Sequence, residues 1–154
     1  MKTCISISIR ISVTLVVITM LFSACSKDQD EISYDLTGDW KVVYYIDHGE
    51  KITKTEDNTW PHINNGDITA NFSSVDSNGE GDIAGVKVSN AYGGKYTIQN
   101  HGNISFGPMA TTFVAEPEWT RLYQIMAAQR YEIRNSILLI FYNDGKNIIA
   151  FERI

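Results

Sequence analysis

YEIRNSILLIFYNDGKNIIAF, residues 131–151, decides the fold class. Two apolar runs, 137–142 and 148–153, flank Asn143-Asp144-Gly145-Lys146. Asp-Gly between such runs is a strong short-range signal for a β-hairpin, because both residues accept the left-handed backbone that a tight turn needs. Residues 131–134 alternate apolar and polar, so a further strand precedes the pair.

Working outward, the same period-two pattern recurs. Residues 39–47 (DWKVVYYID) are rich in β-branched and aromatic side chains. Strict alternation puts Trp40, Val42, Tyr44 and Ile46 on one face, Val43 and Tyr45 on the other. Residues 50–55 can return across Asp47-His48-Gly49, and 67–73 alternate Ile68, Ala70 and Phe72. Residues 82–89 carry Ile83, Val86 and Val88, after which Ala91-Tyr92-Gly93-Gly94 reads as a break. Short strands at 95–99 and 104–106 follow, joined by a turn at 100–103. One segment differs. Glu116-Pro117-Glu118 suits a first helical turn, and Trp119, Leu122, Tyr123, Ile125 and Met126 follow at helical spacing through Gln129. The expectation is a mainly β domain, a curved antiparallel sheet or small lipocalin-like barrel of about eight strands with one packed α-helix.

The chain has 154 residues and a net charge of −5, with 44% hydrophobic and 20% charged residues. This is a globular balance that excludes wholesale disorder, and its acidity argues against a nucleic-acid partner. Residues 1–24 read as a secretory leader: Lys2 and Arg10, a short apolar stretch over 11–22, then Ser23 and Ala24. That stretch is shorter than the roughly 20 residues a membrane-spanning helix needs. Leu21-Phe22-Ser23-Ala24-Cys25 resembles a bacterial lipobox, which implies cleavage before Cys25 and lipidation of its thiol. Cleavage removes Lys2, Arg10 and no acid, moving the charge from −5 to −7. With Cys4 gone and Cys25 acylated, no intramolecular disulfide is left to form. Residues 25–35 read as a flexible acidic tether, and Ser26-Lys27-Asp28-Gln29-Asp30-Glu31 also resembles the export signal that sends some Gram-negative lipoproteins to the cell surface. The expected location is the cell envelope, as an outer-membrane lipoprotein held through Cys25, either facing the periplasm or displayed at the surface.

Residues 36–154 resemble the META domain (HslJ-like) family. The resemblance is carried by Leu36-Thr37-Gly38-Asp39-Trp40, by Ile104-Ser105-Phe106-Gly107-Pro108-Met109-Ala110-Thr111-Thr112, and by the closing hairpin. The family's glycine-cysteine-asparagine triplet corresponds to Val88-Ser89-Asn90-Ala91, which keeps only the asparagine, and the cysteine common after the Thr-rich segment is absent from Phe113-Val114-Ala115. The resemblance implies an envelope domain without established catalytic machinery, and no thiol role carries over.

Chemistry-bearing constellations are sparse. His48, His62 and His101 fall in three separate turns without metal-ligand spacing, so no metal or cofactor site is expected. Ser105 or Thr111 with His101 could supply a triad's raw material, but no nucleophile elbow accompanies them. Residues 76–82 (DSNGEGD) begin like a calcium loop yet lack its closing glutamate. The expectation is therefore no catalytic site. Trp60 and Tyr92, in expected loops, are the candidates for an exposed contact. Two readings remain: a non-catalytic module that binds or braces another envelope component, or a carrier of a small hydrophobic ligand. A barrel interior filled by Trp40, Phe72, Ile104 and Trp119 would favour the first, and a ligand-sized cavity the second.

Overall fold

The computed structural model describes residues 33–154. The leader, Cys25 and the tether through residue 32 lie outside the described residues. Nine antiparallel strands form one sheet: β1 (Gly38–Asp47), β2 (Glu50–Thr53), β3 (Ile68–Phe72), β4 (Glu80–Lys87), β5 (Asn90–Gln99), β6 (Asn103–Thr111), β7 (Ala128–Arg134), β8 (Ile137–Tyr142) and β9 (Asn147–Arg153). The sheet order is β2-β1-β3-β4-β5-β6-β7-β8-β9, and β1 also pairs with β9 from Trp40↔Arg153 to Asp47↔Asn147. Eight strands thus close a barrel, and β2 is an extra strand against the second half of β1. Closure removes most of the sheet edges that a small domain without disulfides would otherwise expose.

The turns sort into two ends. His48-Gly49, the β4–β5 turn and the β8–β9 turn at 143–146 cluster at one end, termed upper. The β3–β4 loop, the turn Asn100–Gly102 and Asn135-Ser136 lie at the other. The chain enters at the lower end, where Ser33 pairs with Ile133 and the Tyr34 carbonyl accepts the Tyr131 hydroxyl at 2.8 Å. Ser33 and Tyr34, at the end of the expected 25–35 tether, make these contacts.

Inside the barrel, large side chains face small ones. Along one rung Trp40, Ala70, Gly85 and Tyr92 succeed one another across β1, β3, β4 and β5. A Cβ on Gly85 would stand 2.6 Å from the Tyr92 hydroxyl, and one on Gly81 the same distance from the Tyr96 ring. These glycines make room for rings. Trp40, Phe72, Ile104 and Trp119 are all buried, together with Tyr45, Tyr96, Tyr131, Ile140, Ile149 and Phe151. The interior is a packed core.

Three expectations need correction. First, the register of β1 shifts between Val42 and Tyr44, so Val43 is an extra residue in a β-bulge. The inward set is therefore Trp40, Val42 and Tyr45, while Tyr44 turns outward beneath the ammonium of Lys51, 4.0 Å from its ring centroid. Second, Ala91–Gly94 does not break the chain. β5 runs straight through it, and Gly94 serves close packing against β6. Third, the helical segment is not a continuous α-helix. It is two 3₁₀ turns, Glu118–Leu122 and Ile125–Ala127, separated by non-helical dihedrals at Tyr123 and Gln124. The first turn is pinned early, its Trp119 N–H donating to the Asn58 carbonyl at 2.7 Å and the Thr120 hydroxyl to the Pro117 carbonyl at 2.8 Å. β7 then begins at Ala128 and takes the tail of the expected helix. The expected apolar face is still buried through Trp119, Tyr123 and Ile125, whereas Met126 is 55% exposed.

Candidate functional site: the upper end of the barrel

Strand β7 meets β6 at one rung, Asn103↔Arg130. Above it the two strands part, because residues 118–127 leave the ladder for 3₁₀ turns. A pocket of about 340 Å³ opens between the upper ends of β4, β5 and β6 and these 3₁₀ turns, lined by Lys87, Tyr92, Met109, Tyr123, Ile125 and Met126 among others. Its floor is a pair of phenols. The Tyr92 hydroxyl donates to the Thr69 carbonyl at 2.8 Å and accepts from Tyr123. Burial pushes both groups far above the usual phenol range, so near neutral pH they keep their protons and act as fixed dipoles rather than as acid or base.

One rim is organised by Asn90, the first residue of β5 and only 3% exposed. Its amide nitrogen donates to the Val114 carbonyl at 2.8 Å and to Glu116 Oε1 at 2.7 Å. Its amide oxygen accepts from the Val114 N–H at 2.8 Å and from the Thr112 hydroxyl at 3.1 Å. All four hydrogen-bonding positions of the side chain are used, which fixes its orientation. Ser89 adds a bond to the Ala115 carbonyl at 2.8 Å, and the second oxygen of Glu116 meets Lys87 Nζ at 3.2 Å. This network clamps residues 112–116 and leaves Phe113 99% exposed on a fixed backbone, with Val114 exposed beside it. Val88, in the turn before Asn90, holds φ at 53° despite its β-branched side chain. Such strain persists only where surrounding packing imposes it.

Behind the pocket, Tyr45 and Trp119 stack edge to face at 4.6 Å between centroids. The Tyr45 hydroxyl and the Trp119 indole nitrogen are buried without hydrogen-bond partners. Each such group costs about 1–3 kcal/mol.

The other candidates disperse. Tyr92 is no exposed loop residue but a strand residue at the pocket floor, 7% exposed; the glycines after it disguised the strand. Trp60 lies in the 54–67 connection, half-buried against the core. His48 is exposed and bonds Asp47 at 2.8 Å, and His62 is exposed elsewhere on the 54–67 connection. Ser105 and Thr111 stand six residues apart on β6, roughly 20 Å at the rise of an extended strand. In the 76–82 turn, Asp76 Oδ1 accepts the N–H groups of Asn78 and Glu80 at 2.8 and 2.9 Å, and these bonds hold its pKa below the usual carboxylate value. Among the described residues, no group of three or more His, Cys, Asp or Glu side chains is placed to hold a metal. The pocket and the clamp of Asn90 escaped sequence reading. The one signal was an asparagine retained after a strand.

No family model matches the chain, so the META resemblance rests on the residues quoted for it. No curated protein is similar to it in sequence. Among solved structures the chain is similar to a DUF4847 family protein from Bacteroides vulgatus ATCC 8482, with a TM-score of 0.47 and 13% identity, covering 75% of this chain and 92% of that one.

Proposed function

We propose that this protein is a non-catalytic binding domain of the bacterial envelope, anchored by lipid on Cys25, which binds or braces another envelope component through the upper end of a META-type barrel. The observation that carries this reading is the filled interior. With Trp40, Phe72, Ile104 and Trp119 all buried in it, the middle of the barrel is occupied by side chains, and recognition falls to its upper end. A fully exposed Phe113 held by a saturated asparagine is the form a recognition surface takes, since large apolar side chains fixed outward favour partner contact.

The test is a photo-crosslinking residue at position 113 in cells making the full chain. Adducts with an envelope component are expected from position 113 and not from position 84 on the outer wall of β4. Equal adducts from both positions, or none from 113, contradict the reading. For the anchor, Cys25→Ser should abolish labelling by radioactive palmitate and release the protein from membranes.

The second reading, a carrier of a small hydrophobic ligand, is favoured by the apolar part of the pocket, Met109, Ile125 and Met126. It expects saturable binding of N-phenylnaphthylamine that is lost in Met109→Asp.

A further inference from the structure

We propose that the upper half of β6 captures an extended polypeptide segment of another protein as an added strand, with one apolar side chain of that segment seated in the pocket. The inference rests on the reading of the upper end as a binding surface and names the chemistry of its partner.

The Thr112 N–H donates to the Ala91 carbonyl at 3.0 Å, so Thr112 faces β5. Backbone groups alternate sides along an antiparallel strand. Ala110, paired with Gly93, therefore also faces β5, and the peptide groups of Met109 and Thr111 face the other way. Continuing the register of Asn103↔Arg130 would set Met109 and Thr111 opposite residues 124 and 122. Those residues have left the ladder. Among the described residues no strand pairs with β6 on that side above Asn103. The pocket lies between this stretch of β6 and the 3₁₀ turns, and both Met109 and Thr111 line it.

Unpaired strand donors and acceptors are satisfied by water or by another strand, and an extended peptide supplies them at the right spacing. Its side chains alternate, so one of each pair would point at Met109, Ile125 and Met126 and the other at solvent. Nearby charges are already paired, Lys87 with Glu116 and Arg121 with Glu118, each at 3.2 Å. The partner is thus chosen by backbone and apolar fit, and a neutral segment of alternating apolar residues suits it. The outer edge of β2 is a poor competitor: four residues long, with Glu50 and Lys51 exposed, it has the charged form that blunts edges.

The experiment pans a phage library of random nine-residue peptides against the full chain in detergent micelles. Enrichment of alternating apolar sequences is expected. A synthetic copy should protect the Met109 and Thr111 amides from hydrogen exchange. N-methylation at alternate peptide positions on one side should weaken binding about tenfold, and on the other side hardly at all. Thr111→Pro, which removes one outward N–H, should weaken binding similarly while the melting temperature is kept. Failure to enrich any peptide overturns the proposal. Binding indifferent to N-methylation on either side overturns strand capture while leaving the upper end a binding surface, and a β6-to-β6 dimer in sedimentation assigns the edge to a second copy instead. Loss of the position-113 adducts together with peptide binding would remove both readings.

Discussion

At the lower end of the barrel the buried phenols find carbonyl partners: Tyr96 donates to Ser73 at 2.6 Å and Tyr131 to Tyr34 at 2.8 Å. There β6 still meets β7, and Ser33 adds a bridge to Ile133. At the upper end Tyr92 and Tyr142 also donate to carbonyls, but the seam opens, Tyr45 and Trp119 bury polar atoms without partners, and Phe113 and Met126 face water. A sequence shaped only for stability would treat the two ends alike. The difference indicates that the lower end and the ring-filled interior hold the fold, while the upper end gives up stability for an open surface.

Substitutions at the two ends should have unequal effects. Trp119→Ala should have the largest effect, about 3–5 kcal/mol in denaturant unfolding, because it empties the roof of the core. A loss under about 1 kcal/mol would mean that the 3₁₀ segment is not packed on the barrel. Gly85→Ala should cost about 1–3 kcal/mol by driving a methyl group into Tyr92 and the Thr69 backbone. Tyr131→Phe should cost about 0.5–1.5 kcal/mol, the worth of its bond to Tyr34, whereas Tyr45→Phe should cost nothing or stabilise, because its hydroxyl has no partner to lose. Equal losses from the two would erase the distinction between the ends. Phe113→Ser should change stability by less than about 0.5 kcal/mol, an exposed residue contributing little to the folded state.

The phenols also set an alkaline limit. Burial raises Tyr45, Tyr92 and Tyr123, and pushes Tyr131 up to about 12. Above the ordinary phenol value near 10 the unfolded chain loses protons that the folded chain keeps, so stability falls as pH rises from there toward the folded values. Absorbance at 295 nm should show the exposed tyrosines ionising first, and the buried ones only with unfolding.

Much of this architecture was legible. The Asp144-Gly145 turn, the alternation in β8 and β9 and the aromatic β1 announce themselves because period-two burial leaves a direct trace in residue order. The bulge at Val43 did not, since Tyr44 and Tyr45 are the same residue type and only the pairing with β9 decides which points inward. Glycine misled at Ala91–Gly94, where its smallness serves packing rather than turning. The 3₁₀ turns share their inward spacing with one helix, and the separation lies in the dihedrals of Tyr123 and Gln124. Asn90 reads as an ordinary turn residue until residues 112–116, more than twenty positions along, are folded onto it. The pocket is legible in no local stretch, because it is made where residues 118–127 fold over the ends of β4, β5 and β6.

Residue-resolved amide hydrogen exchange on the free protein distinguishes a filled barrel with one open seam on β6 from a fully closed one. The account predicts near-global protection for the amides shared by β8 and β9 and for Ala110, which faces β5, with fast exchange at Met109 and Thr111. Protection of Met109 and Thr111 equal to that of Ala110 would contradict it, for the seam would then be closed and the upper end would be only more wall.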